Sequence, residues 1–167
     1  RTSLDFDFYT EKKFNPRKFR EGIDKKFKNI QEIFIAEDSL ELNINGIKVS
    51  FFWYPYGLIK PAVEIEEVKF ASKEDIAAMK ILAISQRGKK RDFIDISFLI
   101  KEFGIEQIFE FTKEKYPAFN VYVGLQGLIY FQDADNDSGE SRFTMLKKMD
   151  WKEIKKYLIK EANNFKK

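Results

Sequence analysis

Asp5 and Asp7 stand two residues apart in the run Thr2-Ser3-Leu4-Asp5-Phe6-Asp7-Phe8-Tyr9, a spacing that sets up chemistry if the run is a strand. Strand side chains alternate faces, so Ser3, Asp5 and Asp7 share one side, while Leu4, Phe6 and Phe8 are expected to be buried on the other. Two carboxylates on one strand face lie roughly 6.5 to 7 Å apart. They are close enough to grip one or two divalent cations, and like charges at that range resist joint ionisation unless a cation is present. The plainer reading is the wet face of an amphipathic strand, since Asp-x-Asp also arises by chance.

A second group of charged residues runs from Lys80 to Asp95. Lys80 and Arg87 are two helical turns apart, roughly 10.5 Å along the axis, so both can face one ligand. Arg91, Asp92 and Asp95 then open an acid-rich turn that could bind Lys80, orient Arg87 or touch a metal. Sheet-borne carboxylates facing a helical Lys and Arg are what phosphoryl or nucleotidyl transfer needs. Metal on the carboxylates bridges phosphate oxygens and the attacking hydroxyl, and the cations offset charge on the triphosphate. The plainer alternative is a salt-bridged helix junction.

Composition narrows the chemistry further. The 167 residues contain no Cys and no His. Disulfides, the usual zinc sites, cysteine nucleophiles and histidine bases are therefore excluded, which leaves carboxylates, lysines, hydroxyls and bound metal. The net charge of +3 is too mild to declare a nucleic-acid binder. Its distribution says more: residues 11–28 carry eight basic and three acidic side chains, as do residues 145–167, and Arg87, Lys89, Lys90 and Arg91 form a third basic zone. With acidic zones at 64–67 and 133–140, that separation could steer a polyanion, although solvated helix faces explain each zone alone. No apolar run approaches the ~20 residues of a membrane span, and no secretory pattern opens the chain, so a cytoplasmic protein is expected.

The elements that must position these groups read as an α+β chain. After the opening strand, Asn15-Pro16 starts a helix to about Lys28. Strands follow over 31–36, 40–44 and 47–53, the last two joined by Asn45-Gly46, which suits a type I′ hairpin. Residues 63–70 read as one further strand. Helices are expected at 73–86 with Ser72 as cap, 90–103 ended by Gly104, 105–115, 122–131, and from Asp150 onward. In the 73–86 helix, Ile76, Met79 or Ala83, and Leu82 should face inward. A sheet lobe over 1–71 and a helical lobe over 72–167 are predicted, packed as one unit.

The motifs Ser3-Leu4-Asp5-Phe6-Asp7-Phe8-Tyr9-Thr10, Tyr54-Pro55-Tyr56, Asp75 through Lys80 to Arg87, Arg91-Asp92-Phe93-Ile94-Asp95 and Tyr130-Phe131-Gln132-Asp133-Ala134-Asp135 occur in an order that resembles the AbiEii-type nucleotidyltransferase toxin family. The resemblance implies a polymerase-beta-like mixed β-sheet lobe with an added C-terminal helical lobe. It further implies Mg2+ or Mn2+ on Asp5 and Asp7, a nucleoside triphosphate contacted by Lys80 and Arg87, and supporting roles for Asp92, Asp95 and Asp133. Ser3 and Arg91 join the substrate-binding set. The expected activity is transfer of a nucleoside monophosphate to a hydroxyl, on RNA or tRNA, by the toxin of a toxin-antitoxin or phage-defence system with a cognate antitoxin. A catalytically silent RNA- or protein-binding module on the same fold is the alternative. The family's Gly-Ser pair would lie before Arg1, so the sequence is read as N-terminally incomplete. A third carboxylate would fall near Ser50, where there is none.

Overall fold

The Asn45-Gly46 dipeptide reverses the chain between two strands, and the first sheet grows from that turn. The computed structural model describes residues 2, 4–137, 144–146 and 150–165. Both turn residues have positive φ, 53° at Asn45 and 87° at Gly46. This is type I′ geometry, whose twist matches the flanking strands, here β3 (Ser39–Ile44) and β4 (Ile47–Trp53), with Ile44 opposite Ile47. β2 (Ile30–Ala36) pairs antiparallel with β3, and β1 (Asp5–Thr10) pairs parallel with β4. The result is a mixed four-stranded sheet in the order β1-β4-β3-β2.

Helix α1 (Pro16–Asp24) covers part of one sheet face. The Asn15 side chain accepts the Lys18 N–H at 3.0 Å, and Pro16 occupies the first turn, where no N–H is needed. The helix ends at Asp24, short of the expected Lys28, because the chain turns into β2 through Asn29 at φ 55°. Ile23, Leu40 and Leu42 form the buried centre, with Phe14, Ile30, Ile35, Ile44 and Phe51 around them. Leu4, Phe6 and Phe8 are 60%, 55% and 45% exposed, contrary to the expectation that they are buried. The reason is topological: β1 is the edge strand, and α1 packs over β2 and β3. Phe8 stacks on Phe51 at 5.3 Å.

By its internal contacts the chain divides into Arg1–Gly57 with Arg142–Leu146, and Leu58–Ser141 with Lys147–Lys167. The sequence pattern places the boundary at 71/72 instead. The segment between belongs with the helices and is a hairpin rather than one strand: β5 (Val63–Ile65) pairs antiparallel with β6 (Val68–Phe70). Val63, Ile65, Val68 and Phe70 sit opposite one another in pairs and are exposed. The turn residues Glu66 and Glu67 both have positive φ, 49° and 67°.

The second unit continues as α2 (Lys73–Gln86), α3 (Lys90–Phe103), α4 (Ile105–Lys115), α5 (Val121–Ile129), the single turn α6 (Gln132–Asp135) and α7 (Trp151–Asn164). Ser72 caps α2 by accepting the Asp75 N–H at 3.0 Å, and Asp150 caps α7 through the Lys152 N–H at 2.8 Å. α2 packs against α3, α4 and α5, so it buries Asp75, Ala77, Ala78, Ile81 and Ile84 rather than the single stripe expected. Ile76 is 36% exposed. α3 buries Phe93, Ile96, Leu99 and Ile100 as its periodicity requires.

The glycines of α5 let it approach its neighbours. A Cβ at Gly127 would meet backbone atoms of Ser85 at 3.2 and 3.3 Å, and one at Gly124 would meet the Phe109 ring at 2.7 Å. Gly22 in α1 has open space around it. Gly124→Ala should therefore destabilise the protein by about 1–3 kcal/mol through overpacking. Gly22→Ala should stabilise it by about 0.5–1 kcal/mol through helix propensity. Urea unfolding of the two variants checks the opposite signs.

Candidate functional site

β1 places Asp5 and Asp7 on one face of the sheet's edge, Asp5 half-buried and Asp7 exposed. The parallel register sets Asp5 beside Lys48 and Asp7 beside Ser50 on β4. By alternation all four side chains share that face. Glu41, opposite Ser50 on β3, is engaged by Lys48 at 2.5 Å. Ser50 is 1% exposed, and its Oγ has no hydrogen-bond partner among the described residues. Among the described residues no cluster of three or more acidic, His or Cys side chains gathers as a metal cage. Magnesium needs no such cage: it keeps several waters and is held by one or two carboxylates together with substrate phosphates. Asp5 and Asp7, with an orphaned buried hydroxyl on the neighbouring strand, fit that requirement. Ser3 lies outside the described residues.

The second set belongs to the helical unit. Lys80 extends from α2 between two carboxylates at the start of α3, with Nζ 2.6 Å from Asp92 Oδ1 and 2.8 Å from Asp95 Oδ2. Asp92 is 1% exposed, while Lys80 keeps 20% of its side chain in water. Asp92 Oδ2 has no hydrogen-bond partner among the described residues and lies 3.7 Å from Arg87 Nε. Arg87 is not on the helix face shared with Lys80, because α2 ends at Gln86 and Arg87 is extended at φ −153°. The two cations converge through Asp92 instead.

The α2–α3 junction is crowded with charge. A Cβ at Gly88 would lie 3.3 Å from Asp133 Cβ, so Asp133 on α6 packs directly against the junction. Asp137 supplies the cap that Lys89 lacks, accepting the Lys90 N–H at 3.2 Å. Burial, and then the neighbouring Arg91 and Arg87, hold the Lys89 amine below its ordinary range against the opposing pull of Asp137 and Asp92. Arg91 is half-buried. Below the junction, Phe93, Phe131 and Trp151 form a ring triangle at 5.1, 6.0 and 5.8 Å. Asp135 accepts from Trp151 Nε1 at 2.6 Å and from Lys155 at 2.9 Å, which holds its carboxyl below the usual range.

Residues 1–165 match the model of a family described as nucleotidyl transferase AbiEii toxin, type IV TA system. The chain belongs to this family. It is also 31% identical over 171 residues to the uncharacterized protein aq_aa25 of Aquifex aeolicus (strain VF5), an alignment spanning 99% of this chain and 80% of that protein. In fold it resembles the crystal structure of JHP933 from Helicobacter pylori, with a TM-score of 0.58 and 19% identity, covering 98% of this chain and 75% of the other. The family is one of nucleotidyltransferase toxins, which pairs the enzyme class with an antitoxin. Among the described residues no helix is long and apolar enough to cross a membrane.

One pair that positions α2 went unread in the sequence. Lys115 Nζ lies 2.6 Å from Asp75 Oδ1, with side chains 1% and 0% exposed. Asp75 also accepts from Ser72 Oγ at 2.7 Å and from the backbone N–H groups of Ile59 and Lys60 at 3.0 and 3.3 Å. The signal was available: Lys115 falls on the buried stripe of α4 with Ile108 and Thr112, where a lysine needs a partner. Burial would raise the Asp75 carboxyl, but Lys115, Ile59 and Ser72 together hold it below its ordinary value. A lowered folded pKa gives stability that is present above the unfolded value of about 3.9 and is lost as pH falls through the folded one. Lys115→Met should cost about 3–5 kcal/mol by leaving a buried charge unpaired. Asp75→Asn should flatten the loss of stability below about pH 4, both read by urea unfolding across pH 3 to 7.

Proposed function

We propose that this protein is a metal-dependent nucleotidyltransferase that moves a nucleoside monophosphate from a nucleoside triphosphate to a hydroxyl, on RNA such as tRNA, releasing pyrophosphate. The observation that carries this reading is the Asp5 and Asp7 pair on one face of β1, beside a buried Ser50 hydroxyl without a hydrogen-bond partner among the described residues, in a chain of a nucleotidyltransferase family. Asp5 and Asp7 would hold Mg2+ or Mn2+, which when bound supplies a Lewis acid for phosphate and nucleophile oxygens. The remaining work falls to the chain's own groups. Lys80 offsets charge on the triphosphate, and Asp92 and Asp95 keep its ammonium fixed, so that little reorganisation is needed during transfer. Arg87 adds a second cation at the same carboxylate, and Arg91 and Asp133 border the junction. In the cell the enzyme would act in the cytoplasm as the toxin of a toxin-antitoxin or phage-defence pair.

A second reading is a catalytically silent module that binds RNA or protein. It is favoured by Ser50, which stands where a third carboxylate would complete a two-metal site. That module would bind without magnesium and lose affinity steeply with salt.

Asp5→Asn and Asp7→Asn should each lower nucleotide transfer by on the order of 10²–10³-fold. Stability should move by no more than about 0.5 kcal/mol at the exposed Asp7. Incubating wild type and variants with each labelled triphosphate, magnesium and bulk tRNA, alongside circular dichroism melts, measures both. Full transfer by well-folded variants would end the enzyme reading.

A further inference from the structure

The face of the sheet that carries Asp5 and Asp7 continues into a row of aromatic rings. Tyr9 is the next residue on the same face of β1, about 6.5–7 Å along the strand from Asp7. Its register partner on β4 is Phe52, with ring centroids 5.9 Å apart. Beyond β4 the pairing persists for one more bond, Tyr54 N–H to Thr10 O at 2.8 Å, which brings the Tyr54 ring edge-on to Tyr9 at 5.3 Å. Tyr56 continues the series edge-on to Tyr54 at 5.2 Å. Pro55 between them fixes its own φ and keeps Tyr54 extended, so the two tyrosines are held in place by the backbone.

Tyr9 remains 48% exposed and Tyr56 42%, which is not the burial of core aromatics. We infer that Tyr9, Tyr54 and Tyr56 form a stacking platform for the nucleobase of the metal-bound nucleoside triphosphate. The inference rests on the proposed metal site at Asp5 and Asp7. Its support is continuity: on the face that carries those carboxylates the next side chain along β1 is the partly exposed Tyr9 ring, about 6.5–7 Å from Asp7. The triphosphate is chosen over an acceptor end because every acceptor requires it. Stacking uses the π-face that all bases share, so the platform binds the four bases alike and leaves base choice to other groups.

The test is isothermal titration calorimetry, in magnesium, of ATP, GTP, CTP, UTP and inorganic tripolyphosphate against wild type, Tyr9→Leu, Tyr56→Leu and Tyr9→Phe. The leucine variants should weaken each nucleotide roughly tenfold and leave tripolyphosphate, which has no base, unchanged; Tyr9→Phe should restore nucleotide binding. Equal losses for nucleotides and tripolyphosphate would mark a structural role and overturn the platform. So would unchanged nucleotide affinity, whether or not binding of an RNA 3′ end weakens. Asp5→Asn and Asp7→Asn separate the parent reading. If they leave tripolyphosphate binding intact, or wild type binds none of these anions, the metal site fails and the platform falls with it.

Discussion

Taking a carboxylate out of water costs several kcal/mol unless donors replace the lost hydration, and Asp75 is fully buried. Its oxygens receive Lys115, Ser72, Ile59 and Lys60, four donors from three separate stretches of chain. The helical unit depends on that convergence. It fixes where the chain enters the unit at residues 59–60, where α2 begins and how α4 lies against it. Lys80 is carried on the same α2, about a turn and a half beyond the anchor. The position at which its ammonium meets Asp92 and Asp95 is thus tied to the buried Asp75–Lys115 pair.

The two groups of candidate residues, one in each unit, are built by different periodicities. In the sheet, a repeat of two puts carboxylates, the Ser50 hydroxyl and tyrosine rings on one face, and the parallel register with β4 keeps them in step. In the helical unit, a break in the helix at Arg87 and Gly88 lets α3 return its first acidic turn to a lysine two turns back on α2. The close contact of Gly88 with Asp133 makes that break tight. Glycine serves the same end in α5, where Gly124 and Gly127 give up helix propensity to let α5 approach Phe109 and the backbone of Ser85.

Much of this is legible in the sequence. Period-two alternation located β1, Asn45-Gly46 located the hairpin, and Ser72 and Gly104 marked helix limits, because each is a local rule with a local cause. The lysine with its two carboxylates was legible as a charge pattern. What escaped was non-local. The exposure of Leu4, Phe6 and Phe8 depends on the order of strands, which alternation does not encode. The Asp75–Lys115 pair joins residues forty apart, and the place of Lys115 on the buried stripe of α4 calls for a partner without saying which. The close fit of Gly124 and Gly127 likewise depends on Phe109 and Ser85, which lie far from them in the sequence.

The second hairpin escaped for a different reason, since Glu66-Glu67 carries none of the residues that favour left-handed backbone. Each glutamate there gives up roughly 1–2 kcal/mol relative to a right-handed conformation, and the strands it joins have three residues each. The same chain uses Asn-Gly for the same kind of turn at Asn45-Gly46. Against that internal standard the 63–70 ribbon is shallowly bound, so its amide protons should trade with solvent deuterium well before those of β3 and β4.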